Sequence, residues 1–292
     1  MAAPTVPTLS TLVSEALKKA GQSNPDSALT TRAEDLWMNE IKNDILVLAG
    51  GRKLKALYTS AVTITVNGKS RYSCPTDYFA DMTIDLLDGT TRGIATGGAV
   101  GSITLASNVD VVGSKILIRG GTGVGSMSEC TAFDTSTLVA TVSPNFATAP
   151  VSGSTYTIVD IITRLNEKHR SHRPNNSNRG NPSDFYPLGD ADYGEFELYP
   201  VSYTTDGHVF GLLMNYYANL MTLDLAGTLM STLYQRWRNV WLQGVYAKAL
   251  DELHDAKANE QMAIYKFMLQ ELVARETYGM DMSNLQARIM DY

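Results

Sequence analysis

The side chains that could do chemistry in this chain are few and scattered. The four histidines are His169, His172, His208 and His254. A general base needs a near-neutral pKa and a partner within hydrogen-bond reach. His169 and His172 sit among Arg164, Lys168, Arg170, Arg173 and Arg179, whose positive charge opposes their protonation. They read as solvated loop histidines. His254 falls late in a helical pattern, where a cation suits the helix dipole. The two cysteines, Cys74 and Cys130, form no CxxC pair and no Cys/His metal spacing, so they read as small apolar residues. Gly121-Thr122-Gly123-Val124-Gly125 resembles a phosphate cradle, but no helix pattern follows it and the dinucleotide spacing is missing. Turn glycines of a β-region are the simpler reading. The expectation is a protein with no catalytic residues, no cofactor and no metal.

The most suggestive charged element is the polar stretch 164–183. Arg164, Lys168, Arg170, Arg173 and Arg179 place five cations in a chain whose net charge is −6. A specific nucleic-acid binder normally carries a basic excess, because phosphate neutralisation drives its affinity. Sequence-specific DNA recognition is therefore not expected. The basic stretch is a candidate contact with DNA phosphate in a channel or with acidic residues of a neighbour, set against the bland reading of a solvated loop.

The elements that must position these groups are legible from periodicity. Leu9, Leu12, Val13, Ala16 and Leu17 mark a first helix that ends at Gly21. Leu36, Trp37, Ile41, Ile45 and Leu48 form the apolar stripe of a second, which Gly50-Gly51 stops. The period then switches. Val62, Ile64 and Val66 alternate with threonines, and Asn67-Gly68 predicts a hairpin returning through Tyr72 and Cys74. Residues 91–160 lack helical periodicity and break into short apolar runs between glycine turns, the pattern of a small sandwich or barrel. Trp237, Val240, Trp241, Val245 and Leu253 mark one late helix, with the tryptophans as core. Met262, Tyr265, Leu269 and Val273 mark another. After Gly279 a short amphipathic stretch carries Leu285, Ile289, Met290 and Tyr292. It is too short to fold alone, so it docks on the core or reaches to a neighbour.

The fold class expected is α+β: a helical core from the N- and C-terminal helices, with β-hairpins and an inserted small all-β domain. The boundaries fall at 1–90 for the N-terminal part, 91–160 for the insert and 161–292 for the closing half. At 292 residues and 44% hydrophobic, the chain can bury a full core. No run of about 18 apolar residues exists, so no membrane-spanning helix is expected, and the first residues lack the basic-then-apolar pattern of a secretory signal.

Three segments together resemble the head-to-tail adaptor (connector) family of short-tailed bacteriophages. One is the N-terminal helix pair with Tyr72-Ser-Cys-Pro75-Thr-Asp77-Tyr78. Another is the β-region, with Val112 to Gly125, Leu138 to Pro144 and Ser152 to Tyr156. The last comprises Asn181-Pro182, Glu197-Leu-Tyr-Pro200 and the paired late helices. Their order and spacing carry the likeness. The insert is larger than in minimal members, and 164–183 has no clear counterpart. The resemblance implies a structural virion protein, assembled in the host cytoplasm and located in the virion neck. It implies a ring of twelve copies beneath the portal, extending the DNA channel, passing double-stranded DNA without sequence preference and offering a platform for tail attachment and genome ejection. The tail carrying Leu285, Ile289, Met290 and Tyr292 would contact the portal or an adjacent subunit. The competing readings are another neck or tail subunit (nozzle, tube or fibre attachment), a carbohydrate-binding module and a virion-bound hydrolase. The few aromatics of the β-region, Phe133, Phe146 and Tyr156, argue against the module, and the lack of a convergent His/Asp/Glu cluster argues against the hydrolase.

Overall fold

The structure is a computed structural model that describes residues 9–109, 111–168, 178–188, 194–205, 209–220 and 230–278. Two compact units emerge. One is assembled from the two ends of the chain, Met1–Tyr58 and Tyr217–Tyr292, and the other is Thr59–Tyr216.

The first unit is helical. Its helices are α1 (Leu9–Lys19), α2 (Ser27–Arg32), α3 (Met38–Ala49), α4 (Met230–Glu252) and α5 (Ala258–Tyr278). Asp26 caps α2, its carboxylate accepting from the Leu29 N–H at 2.6 Å. Gly50 closes α3 with φ +58, a conformation that a side chain disfavours. A π-helical turn, Ala33–Trp37, joins α2 to α3, so the expected second helix is continuous only in path. Helix α4 is the centre of the unit and touches α1, α3 and α5. Trp237, Trp241, Val245, Ala249 and Leu250 on α4 are buried, as are Leu12 and Leu17 on α1, Ile41 and Ile45 on α3, and Tyr265 and Leu272 on α5. Gly244 permits the close approach: a Cβ there would lie 2.6 Å from Ile41 Cδ1 and 2.9 Å from Tyr265 Cε2. Ion pairs tie the outer helices to α4. Lys248 reaches Glu40 at 2.7 Å, Arg238 reaches Glu15, and Arg32 reaches Glu252.

The second unit is built of strands. In chain order they are β1 (Tyr58–Ile64), β2 (Arg71–Ser73), β3 (Tyr78–Asp88), β4 (Arg92–Ile94), β5 (Gly97–Ala99), β6 (Ser102–Thr104), β7 (Lys115–Gly120), β8 (Met127–Asp134) and β9 (Val139–Ser143). There follow β10 (Thr155–Val159), β11 (Ile161–Arg164), β12 (Asn166–Glu167), β13 (Arg179–Gly180), β14 (Asp184–Leu188), β15 (Glu195–Tyr199), β16 (Val201–Ser202) and β17 (Gly211–Ala218). The largest sheet runs β4-β10-β7-β8-β9-β6-β5. Its two edge strands, β4 and β5, are joined by only Ala95 and Thr96, which span at most about 10 Å. The sheet must therefore curl until its edges approach, as a barrel does. Ile103, Ile116, Ile118, Cys130, Phe146 and Tyr156 fill it. The Tyr156 hydroxyl accepts from the Ala106 N–H at 2.9 Å, so the ring is buried without an orphaned oxygen.

The remaining strands form sheets ordered β1-β17-β3-β11 and β12-β14-β15-β2, plus the parallel pair β13 and β16. Leu87, Leu117 and Val159, with Val62, Ile64 and Leu213 around them, join the barrel to the first of these. Gly211 lies at this joint. A Cβ there would stand 2.5 Å from Leu117 Cδ2 and 3.1 Å from Leu87 Cβ. We predict that Gly211→Val costs about 1–3 kcal/mol by overpacking, read from the denaturation midpoint of the β-unit. An unchanged midpoint would contradict the packing described.

Two expectations are corrected here. The chain is not a helical core with a small all-β insert. Among the described residues, seventeen strands in four sheets dominate, and the helices are confined to the two ends of the chain. Strands between 57 and 90 and beyond 160 are short apolar runs that do not announce a sheet when read one at a time. They are partners of one another: β3 pairs with β11, and β2 with β15. The second correction concerns Asn67-Gly68. The turn forms, with Gly68 at φ +80 and the Lys69 N–H on the Val66 carbonyl at 2.9 Å. The strands on either side do not pair as a hairpin. β1 lies beside β17 and β2 beside β15. The Tyr72 hydroxyl braces the turn, accepting from the Val66 N–H at 2.9 Å.

Candidate assembly surface

Helices α3 and α5 bury one stripe each and leave apolar side chains on their other faces. On α5 the inward stripe is Tyr265, Leu269, Leu272, Val273 and Glu276, recurring at three- and four-residue steps. Phe267 falls about 200° around the helix from Tyr265 at 100° per residue, with Ile264 next to it. Phe267 is 47% exposed. On α3 the inward stripe is Met38, Ile41, Ile45 and Ala49. Leu48 flanks it, and Val47 lies outside it at 72% exposed. Scattered exposed apolar residues are ordinary; here Val47 and Leu48 line the face of α3 toward α5, whereas Ile264 and Phe267 lie on the side of α5 turned away from α3.

Between the two helices runs a groove of about 350 Å³, lined by Asp44, Val47, Leu48, Met262, Tyr265, Lys266, Leu269 and Gln270. The Tyr265 hydroxyl donates to Asp44 Oδ2 at 2.9 Å at its side. Burial, and then the Asp44 charge, hold that phenol well above its usual pKa, so it remains a donor throughout the physiological range. Further along α5, Glu276 is buried and accepts twice, from the Trp237 indole N–H at 3.2 Å and from the Ala56 N–H at 2.9 Å. The two tryptophan rings lie 6.3 Å apart. The sequence stripe that included Leu36 and Leu48 therefore mixed inward and outward positions, and both of these are exposed.

The basic residues named from sequence divide into two groups. Arg164, at the end of β11, is bound to Asp85 on β3 by two guanidinium hydrogen bonds, one of them 3.2 Å. Asp85 also accepts from Asn215 at 3.3 Å, so this arginine neutralises a buried carboxylate. Lys168 lies 4.0 Å from Asp184, and the Arg179 guanidinium stands 5.1 Å from the centre of the Tyr203 ring. Arg170 and Arg173 fall outside the described residues, as do His169, His172 and His208 and the tail positions Leu285, Ile289, Met290 and Tyr292.

The glycine run Gly121 to Gly125 turns between the antiparallel strands β7 and β8. Cβ atoms at Gly121 and Gly123 would meet Ser154 Cα at 3.0 Å and the Thr148 carbonyl oxygen at 2.9 Å. The run packs on the 148–154 backbone, with the Ser154 hydroxyl donating to the Thr122 carbonyl at 2.9 Å. Cys130 is buried in the barrel and Cys74 half-buried, and both are free thiols. Burial, with Glu195 nearby, pushes the Cys74 thiol up to about 11. At pH 8 its thiolate fraction is then roughly a hundredfold below that of a thiol titrating at 9. We predict that iodoacetamide labels Cys74 at least about tenfold more slowly at pH 8 than it labels the denatured chain, with the rate still rising above pH 10. Labelling that levels off near pH 9 would contradict this.

Among the described residues, no three His, Cys, Asp or Glu side chains are placed to share a metal ion. No helix among them is long and apolar enough to cross a membrane. No protein-family model matches the chain, and no curated protein matches it.

Proposed function

We propose that this chain is a non-enzymatic structural subunit of a tailed-phage virion, a head-to-tail adaptor that forms a ring of twelve copies beneath the portal. In this role it extends the DNA channel, offers the tail its platform and lets the genome leave. The observation that carries the reading is the apolar side chains that α3 and α5 leave exposed. A unit whose core is already filled by the two tryptophans and their neighbours still displays Val47, Leu48, Ile264 and Phe267 to solvent. Such area is useful to a subunit that buries surface against neighbours, since the centre of a protein interface is apolar and poor in charge.

Electrostatics is compatible with DNA passage. The net charge of −6 limits sticking to phosphate, and Arg164 is paired with Asp85. The C-terminal positions Leu285, Ile289, Met290 and Tyr292 supply an apolar anchor for the portal or an adjacent subunit. We predict that deleting residues 280–292 leaves a folded, soluble monomer that no longer co-sediments with portal rings. Normal co-sedimentation of the truncated protein would count against the reading.

A further inference from the structure

We infer that the occupant of the α3–α5 groove is a second copy of this chain, entering head-to-tail with the Ile264 and Phe267 side of its own α5. Position is the first reason. At 100° per residue, the groove residues Met262, Lys266 and Leu269 fall about 40–100° around α5 from Tyr265, whereas Phe267 and Ile264 fall about 200–260° around it. The helical unit therefore carries two apolar surfaces that face different ways. One is a groove between two helices, and the other is a ridge on a single helix.

Symmetry is the second reason. A two-fold pair sets like against like, groove on groove or ridge on ridge, and leaves the other surface in water. Because the two point apart, no two-fold pair fills both. A head-to-tail contact does so, placing Phe267 and Ile264 of one copy between Val47, Leu48, Met262 and Leu269 of the next. Its repetition gives a ring where the rotation closes and a filament where it does not.

Charge is the third. Glu260 and Glu271 fall about 220° and 240° around α5, beside the ridge, with Arg275 at its edge near 280°. Lys266 lines the groove, and the exposed Arg52 and Lys53 follow the end of α3. Asp44, the acid of the groove, already accepts the Tyr265 hydroxyl. Acids thus prevail beside the ridge and bases beside the groove, which favours the unlike pairing and opposes the like ones. Only closure of the contacts into a ring on the portal rests on the adaptor reading; the contact itself does not.

The test is disulfide trapping between two full-length chains that both carry Cys74→Ser, since Cys130 is buried. One chain bears Leu48→Cys in the groove and the other Ile264→Cys on the ridge. At about 100 µM, well above the level at which so small a contact dissociates, mild oxidation of the mixture is expected to give the mixed dimer. Its yield should exceed that of either self-pair, and of Leu36→Cys mixed with Ile264→Cys, about tenfold, because Leu36 is exposed on the same unit but does not line the groove. Adding Phe267→Asp to the Ile264→Cys chain should lower the yield about tenfold, with unchanged circular dichroism showing that the fold persists. The same substitution on the Leu48→Cys chain, which contributes only its groove, should leave the yield unchanged. Self-pairs as abundant as the mixed pair, no cross-link, or equal damage from Phe267→Asp on either chain would each overturn the proposal. Directional trapping in a protein that never joins portal rings would sink the adaptor reading and leave the contact standing.

Discussion

Replacing Ile264 and Phe267 together by aspartate is expected to abolish ring assembly while leaving the helical unit folded. Both side chains sit on the outer side of α5, away from the stripe of Tyr265, Leu269 and Leu272 that packs on the core. Substitutions at exposed positions usually change stability by no more than about 0.5 kcal/mol. At the centre of an interface the same changes would bury two unpaired carboxylates. Anchors of this kind each contribute about 2 kcal/mol or more, so the association constant should fall at least about a hundredfold. Sedimentation velocity of the wild type and the double variant, with and without portal rings, reads this directly. Assembly of the variant at wild-type concentrations would show that the patch on α5 is not an interface.

The second large effect lies beneath that surface. Trp237→Ala removes a side chain that is 1% exposed, its contact with Trp241 and the indole donor to Glu276. Truncating a buried tryptophan costs about 3–5 kcal/mol. Glu276, also buried, would keep only the Ala56 N–H, and an under-satisfied buried acceptor adds about 1–3 kcal/mol. Against a total stability of about 5–15 kcal/mol, this removes a large share of the folding free energy and shifts unfolding to much lower denaturant. Glu276→Gln keeps one acceptor and should cost much less. Helical ellipticity at 222 nm followed through denaturant should show the early loss in Trp237→Ala and a near-normal curve in Glu276→Gln. The opposite order would mean that the carboxylate, and not the ring, holds the unit together.

Helices α1, α4 and α5 were legible because their partners announce themselves locally. Leu12, Val13, Ala16 and Leu17 repeat at helical spacing, and so do Trp237, Trp241 and Val245. The glycine-punctuated strands from β5 to β9 stood out for the same reason, since β5 with β6, β7 with β8 and β8 with β9 are near neighbours in sequence. The pairing of β2 with β15 joins Arg71 to Glu197, and no period in the sequence reports a bond across that separation. The sheets formed by β1, β2, β3 and the strands after 160 are for that reason not legible in local sequence. Asn67-Gly68 misled in a related way. The turn chemistry is correct, but a turn cannot say which sheet receives the strands beside it.

The candidate surface was only partly visible. Apolar spacing along a helix does not by itself separate inward from outward positions, and the π-helical turn at Ala33–Trp37 changes which of them face inward. Ala33 and Trp37 are buried there while Leu36 is exposed. Phe267 and Val47 could have been noticed from sequence as apolar residues lying off the stripe. The ion pair of Arg164 with Asp85 could not, because it depends on the register of β11 against β3.

The most direct measurement is electron microscopy of the purified full-length protein mixed with isolated portal rings. The proposal predicts a twelvefold ring of this chain seated on one end of the portal and continuing its channel. Portals that stay bare beside a monomer of unchanged mass would contradict it.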